Sequence, residues 1–434
     1  MYNSPQRCDD NKTGGAPTLV VDVAVIGGGP AGIMAAIAAA DEGADVLLCE
    51  QLPRIGVKLQ ATGGGRCNIT NTLPNDEFME RFGRFGRYAQ PALTRFGQDT
   101  LREFLQSIRV STHAPDGLHV FPVTHQASTV VQALATHLHA KGIRIHCGAR
   151  PRRLTLKQGS LVGIETKTSS FRSRHVVIAT GGRSHVALGA TGDGYELARQ
   201  AGHTITDTWP AMVPLITAQT WPARCRADTV PKAEISVDLP GMRKCRGVGD
   251  LIFTRTGLAG PVVLDFSRHI PPLLREYGTV PLRLCLTGTP HADTWHSRLQ
   301  FGQREEPGTP VAHYLKRTMA PSLAEVMCEL TPLPGHTPLG QLARAPRRML
   351  AEVLAQTPID VTDTGGFGKA MITRGGVTLK EVAPETLQSK YLPGLFFAGE
   401  VLDLDGPCGG FNLQWAFASG YLAGQCAGRQ SMEK

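Results

Sequence analysis

The sequence predicts an α/β protein: a dinucleotide-binding domain interrupted by an insert that is β-rich in one part and helical in another. Three observations carry this. Near the N-terminus an apolar strand, a GxGxxG turn and an alanine-rich helix follow one another within Val23–Gln51. Near the C-terminus a strand at Leu395–Ala398 is followed by a glycine loop and an apolar helix. Between them prolines become frequent and the strand-like runs shorten. The expected division is a flexible tail over 1–18, a first cofactor segment over 19–200, an insert over 201–360 and a second cofactor segment over 361–428.

The N-terminal segment reads VAVIGGGPAGIMAAIAAADEGADVLLCEQ. Gly27 permits the tight turn out of the strand, Gly29 lets a pyrophosphate approach the backbone, and Gly32 lets the helix pack closely on the sheet. Pro30 and Ala31 open that helix, whose N-terminal amides and positive dipole end suit phosphate. Glu50, followed by Gln51, ends the second strand, where its carboxylate can accept hydrogen bonds from ribose hydroxyls and would repel a 2′-phosphate. The pattern by itself fits FAD or NAD.

Composition narrows the class. A chain of 434 residues is long enough for two or three domains. No apolar run reaches a membrane span, and Met1–Pro17 lacks the apolar core of a secretory signal. Ten cysteines are scattered without a CxxC pair, which predicts reduced thiols in a cytoplasmic protein. The histidines show no HExxH or similar cluster, so no metal is expected. A net charge of +8, mostly from arginine, admits a polyanionic partner such as RNA, although a solvated basic surface accounts for it more simply.

Further along, Leu52–Thr72 carries Gly63–Gly65 and then Arg66, Cys67, Asn68, Thr70 and Asn71, a polar loop placed where a ligand could run along the backbone. Phe78–Arg109 has helical patterning, with Phe82, Phe85 and Tyr88 interleaved among arginines; it could stack bases or cap the cofactor domain. A helix is predicted over 125–141 and a strand over 143–147. A meander follows at 153–157, 161–167 and 171–174, then a strand ending in the glycine turn HVVIATGG (His175–Gly182). In the insert, short strands are predicted at 216–219, 234–239, 251–253 and 282–286, and helices at 311–318, 322–330 and 346–356. Thr254–Ser267 reads as a glycine turn feeding an apolar segment. Asp405–Leu413, DGPCGGFNL, reads as a loop whose following helix would turn its first amides toward a flavin.

Together VIGGGPAG, ATGGGRCNITN, VVIATGG, TGDGYELA, FTRTGLAGPVVL, MITRGGVTLKEV and LFFAGEVLDLDGPCGGFNLQWAFASGY resemble the HI0933 family of bacterial flavoproteins, also called the BaiN or aminoacetone-oxidase-like family. The resemblance runs from about Val21 to Gly424. It implies a Rossmann-like FAD-binding core of the two-dinucleotide-binding type, with an inserted β-barrel-like and helical region and non-covalent FAD. Carried over by residue, Gly27, Gly29, Pro30, Ala31 and Gly32 meet the pyrophosphate, and Glu50 and Gln51 lie at the adenosine ribose. Lys58, Gly64, Gly65, Arg66, Cys67 and Asn68 line the ribityl–flavin path. Thr180, Gly181, Gly182 and Asp193 join the cofactor set, with the two glycines on the adenosine side. Gly399 and Glu400 approach the ribityl chain, and Gly410, Phe411, Asn412 and Gln414 the ring.

Family members are described as reductases of carbon–carbon double bonds, including dihydrouridine formation in ribosomal RNA, or as amine oxidases. The sequence therefore predicts an FAD-dependent oxidoreductase. The leading expectation is reduction by NAD(P)H as a transient donor and hydride transfer to an unsaturated substrate, a small molecule or uridine in rRNA. The alternatives are an amine oxidase producing peroxide, and a non-catalytic FAD-stabilised binding protein. Cys67 beside Arg66 is the candidate proton donor. Arg84, Arg87, Arg224, Arg226 and Arg243 are the candidate phosphate contacts.

Overall fold

A computed structural model describes residues 19–242 and 244–433. The tail expected over 1–18 lies wholly outside the described residues, as does Arg243.

Four apolar runs that the sequence marks as strands pair in parallel with the C-terminal strand. The five-stranded sheet has the order Leu395–Phe397, His175–Ile178, Val23–Ile26, Val46–Glu50, Arg144–Cys147. Parallel sheets need cover on both faces, which is why the strands other than the polar edge strand Arg144–Cys147 read as largely apolar runs rather than alternating ones. The expected meander is present at Arg153–Lys157, Ser160–Glu165 and Ser170–Arg172, joined by Leu19–Val20 as a parallel edge.

The first helix, Pro30–Asp41, buries Ile33, Met34 and Ile37. Burial of each such side chain contributes about 1.5–3 kcal/mol. Its other neighbour is the C-terminal helix, Phe411–Met432. A Cβ on Gly420 would lie 2.2 Å from the Ala31 carbonyl oxygen, and one on Gly424 2.1 Å from that of Ala35; one on Gly428 would meet Ala39 at 2.9 Å. The numbers rise together, so the two helices run parallel with their backbones in contact. Both N-termini point to the same end of the domain. Glycine in a helix costs about 1 kcal/mol relative to alanine; here the close approach offsets it.

The insert holds a closed antiparallel barrel. Its order is Leu215–Thr217, Gly257–Ala259, Arg246–Phe253, Thr229–Val237, Val280–Cys285, Thr357–Thr364. Two of its strands were not expected from the pattern. Gly257–Ala259 reads as a turn because it is three residues long with a glycine. Thr357–Thr364 straddles residue 360 and alternates polar and buried residues. A second apolar core lies between the barrel and the helices Ala292–Glu305, Val311–Leu315, Pro321–Glu329 and Arg344–Ala355.

The stretch expected to be helical over 78–109 breaks into Asn75–Glu80, a 3-10 segment Gly83–Ala89, Gln90–Arg95 and Gln98–Ser107. Gly83, at φ 67°, ends the first helix. Phe82 is 5% exposed and packs on Phe78 and Phe411. Tyr88 lies edge-on to Trp415 and donates to the Val382 carbonyl at 3.3 Å. These rings cap the cofactor domain, and neither Phe82 nor Tyr88 is a free platform for bases.

Candidate functional site

The GxGxxG turn is shaped as its glycines require. Gly27 has φ 108°, and a Cβ on Gly32 would fall 1.8 Å from the Gly27 carbonyl oxygen. A Cβ on Gly29 would meet nothing within 4 Å. One glycine therefore serves the turn, one serves the packing and one leaves open space. The first intrahelical bond runs from Ile33 N to Gly29 O at 2.9 Å, so the amides of Ala31 and Gly32 precede it and remain available to a ligand. Glu50 is 9% exposed. Its carboxylate accepts from Gly28 N and Leu52 N, both at 2.7 Å. Each oxygen keeps a further lone pair for a ribose hydroxyl. Gln51 donates to the Gly189 carbonyl at 2.5 Å.

The distant segments converge on this turn. A Cβ on Gly399 would touch the Ala31 Cβ at 2.8 Å. Lys58 pairs with Glu400 at 2.9 Å, with both side chains about a quarter exposed (24% and 22%). The other Glu400 oxygen accepts from Thr373 N at 2.9 Å, and a Cβ on Gly182 would meet it at 2.7 Å. His185 stands near this pair; burial and the Lys58 charge hold its imidazole below the usual range. At the other end, Asn71 Nδ2 donates to Gly409 O at 2.9 Å, and a Cβ on Gly410 would strike the Thr70 backbone at 2.5 Å. The loop after Gly65 thus abuts the start of the C-terminal helix. That helix makes its first bond from Gln414 N to Gly410 O at 3.0 Å, leaving the amides of Phe411, Asn412 and Leu413 ahead of it.

Several expected ligands are engaged within the protein. Asp193 forms a two-pronged pair with Arg150, one arm at 2.7 Å. Thr180 Oγ1 donates to the Gly181 carbonyl at 3.3 Å. Asn412 laces its own loop, accepting from Gly406 N at 2.8 Å and donating to Gly406 O at 2.9 Å. Gln414, 1% exposed, donates to the Phe96 carbonyl at 2.8 Å. The Asn68 amide, oriented as its neighbours require, donates to the carbonyls of Thr70 and Val120. Arg66 lies over the Phe121 ring, 5.5 Å from its centroid.

Cys67 is fully buried, and burial pushes its thiol up to about 11. The expected tuning of Cys67 by Arg66 is therefore absent: the guanidinium faces Phe121, and desolvation decides the thiol.

Other groups near the start of the C-terminal helix were not singled out from the sequence. Cys408 N donates to Asp265 Oδ1 at 2.6 Å, across 143 residues. Arg268 pairs with Asp405 at 2.9 Å, and Arg374 donates to the Arg268 carbonyl at 2.9 Å. On the opposite side, His119 Nδ1 bonds Asp116 at 2.5 Å, and its Nε2 would stand 3.0 Å from a Cβ on Gly409. Asp265 and Cys408 do sit in the motifs LAGPVVLDFS and DGPCGGFNL; their pairing depends on how the barrel docks. Among the described residues no group of three or more His, Cys, Asp or Glu gathers in a metal-binding arrangement, and no helix is long and apolar enough to cross a membrane.

The sequence profile of the HI0933-like protein Rossmann domain matches residues 21–426. The chain belongs to the HI0933-like family. A 3-dehydro-bile acid delta(4,6)-reductase from Clostridium scindens is 34% identical over 409 residues, covering 93% of this chain and 98% of that protein. A ribosomal RNA dihydrouridine synthase from Escherichia coli is 27% identical over 407 residues, covering 93% and 97%. In fold the chain is similar to the open conformation of a flavocytochrome c3 fumarate reductase, with TM-score 0.53, 18% identity and coverage of 96% and 79%. It is also similar to a 3-ketosteroid delta1-dehydrogenase from Sterolibacterium denitrificans, with TM-score 0.52, 13% identity and coverage of 95% and 100%.

This HI0933-like protein is an FAD-dependent oxidoreductase. The site suits the cofactor on its own terms. Besides Gly29, a Cβ on Gly64, Gly65 or Gly181 would meet nothing within 4 Å, and two sets of helix amides stand free at one end of the domain.

Proposed function

We propose that the protein reduces a carbon–carbon double bond conjugated to a carbonyl, with NAD(P)H as the transient electron donor. The observation that carries this is the near full-length match, at 34% identity, to a reductase whose named substrate has double bonds in line with a 3-oxo group. Uridine, implied by the name of the Escherichia coli relative, has the same element, since its C5=C6 bond is conjugated to a ring carbonyl. One chemistry serves both. FAD, when bound and reduced, supplies the hydride.

On this reading Gly29 and the amides of Ala31 and Gly32 hold the pyrophosphate, and Glu50 holds the ribose. Lys58 and Glu400 flank the ribityl chain. The amides of Phe411, Asn412 and Leu413 face the edge of the ring where negative charge gathers on reduction. No second GxGxxG opens a strand–helix unit, so the nicotinamide docks directly against the flavin and leaves. The reaction runs in the cytoplasm, where NAD(P)H is at hand.

The test is anaerobic stopped-flow on the yellow protein. NADH or NADPH bleaches the flavin, and a 3-oxo-4,6-diene steroid acid restores the oxidised spectrum within seconds. Bleaching by aminoacetone, with peroxide formed in air, would instead establish an oxidase. The second acceptor is uridine in rRNA, favoured by the net charge of +8 and by the exposed Arg84 and Arg87. Arg224 is less available, being paired with Glu329. If a gene-deleted strain keeps its full dihydrouridine content in rRNA, that acceptor fails.

A further inference from the structure

Cys408 and Asp265 stand where the barrel meets the start of the C-terminal helix. Cys408 precedes Gly409 and Gly410, whose φ of 112° and 86° turn the chain into Phe411. It is therefore three residues from the amides assigned to the flavin ring. Asp265 lies on the short helix Pro261–Phe266, which packs on the barrel. It accepts a hydrogen bond from the Cys408 backbone amide at 2.6 Å. Cys408 is part-exposed, whereas Cys67 is sealed. The neighbouring pair Arg268–Asp405 makes the same crossing between barrel and loop at 2.9 Å.

We propose that Cys408 is the proton donor of the reaction and that the Asp265 carboxylate holds it in place. This rests on the conjugated-carbonyl reading above. FAD, when bound and reduced, would supply hydride to the β-carbon, with the π-electron pair shifting toward the carbonyl oxygen. The α-carbon then takes the proton of Cys408 Sγ, with the S–H bond breaking as the C–H bond forms. The thiolate is reprotonated from water. Hydride and proton add across the double bond, and the flavin is the only group oxidised.

Proton affinity agrees with this order. Burial and the Asp265 charge push the Cys408 thiol well above its ordinary value, and burial raises the Asp265 carboxyl. The thiol holds its proton until a strong base, such as an enolate, forms beside it. The plainer account is that Asp265 only caps a tight loop. That account predicts no effect of the thiol on where the proton lands.

Cys408→Ala and Cys408→Ser are compared with the wild-type holoenzyme. Both keep FAD and are reduced by NAD(P)H at the wild-type rate. Reoxidation by the 3-oxo-4,6-diene steroid acid slows on the order of 100-fold in Cys408→Ala and less in Cys408→Ser, whose hydroxyl can pass a proton. In D2O the wild type places deuterium on one face of the α-carbon, and Cys408→Ala scrambles it. Wild-type rate and stereochemistry in Cys408→Ala would overturn the proposal. If the wild type itself is not reoxidised by this steroid, the functional reading fails and the thiol is judged separately. Iodoacetamide labelling of Cys408 in the holoenzyme, followed by peptide mass spectrometry, should shift the flavin absorption band. Its pH midpoint should fall by at least about one unit in Asp265→Asn. An unmoved band or an unchanged midpoint would overturn the proposal.

Discussion

At the adenosine end of the cofactor path, Gly28, Glu50 and Leu52 are tied by two 2.7 Å bonds spanning 22 and 2 residues. Away from it, Lys58 meets Glu400 across 342 residues where the ribityl chain is proposed to lie, and Asp265 meets Cys408 across 143 at the proposed reacting end. The first end is one continuous strand–turn–helix–strand unit that closes on itself. The second exists only after the C-terminal segment has returned to the sheet and the barrel has docked. The carboxylate at the first end is fixed by amides of its own strand–turn unit; Glu400 and Asp265 are fixed by amides and side chains of distant segments. The first end is thus built for affinity, and the second can be altered without unmaking the fold.

Substitutions can break or sharpen this contrast. The largest effect is expected from Gly32→Ala, whose Cβ would lie 1.8 Å from the Gly27 carbonyl. The turn must open, at about 3 kcal/mol or more, and the protein should purify colourless with a lower urea midpoint. Yellow, fully stable Gly32→Ala protein would show that the turn adapts and would dissolve the contrast. Next comes Glu50→Gln. Two buried charge-assisted bonds weaken, and FAD affinity should fall by about 1.5–3 kcal/mol, read by fluorescence titration of released flavin. The smallest effect on stability is expected from Lys58→Met, which removes the contact to the returning C-terminal segment. A part-exposed pair contributes about 0–1 kcal/mol, so the melting point should hold while the flavin spectrum and its reduction rate change. A loss of stability equal to that of Glu50→Gln would mean that both ends share one design.

The same contrast governs what could be read from the sequence. Gly27, Gly29, Gly32 and Glu50 announce their geometry because their partners are near neighbours in the chain. The barrel strand Gly257–Ala259 does not, being too short to show a period. Thr357–Thr364 does not either, because its outward residues dilute the apolar signal. The family motifs mark the DGPC loop, but the Asp265–Cys408 contact is a product of docking and leaves no local trace. Cys67 shows the complementary case: its neighbour Arg66 is adjacent in sequence yet turned toward Phe121.

The interlocked helices set a length. Gly420 is seated on Ala31, Gly424 on Ala35 and Gly428 on Ala39, so neither helix can slide past the other without lifting off. Phe411 stands nine residues ahead of Gly420 in the same helix, which at about 1.5 Å per residue puts its free amides about 14 Å beyond those of Ala31 and Gly32. The pair of helices works as a fixed gauge between a phosphate stop and a ring stop. The ring, ribityl chain and first phosphate that would lie along this gauge are common to flavin mononucleotide and FAD, so the gauge fixes how far apart ring and phosphate sit, and the choice of the dinucleotide is left to the Glu50 carboxylate beyond the phosphate stop.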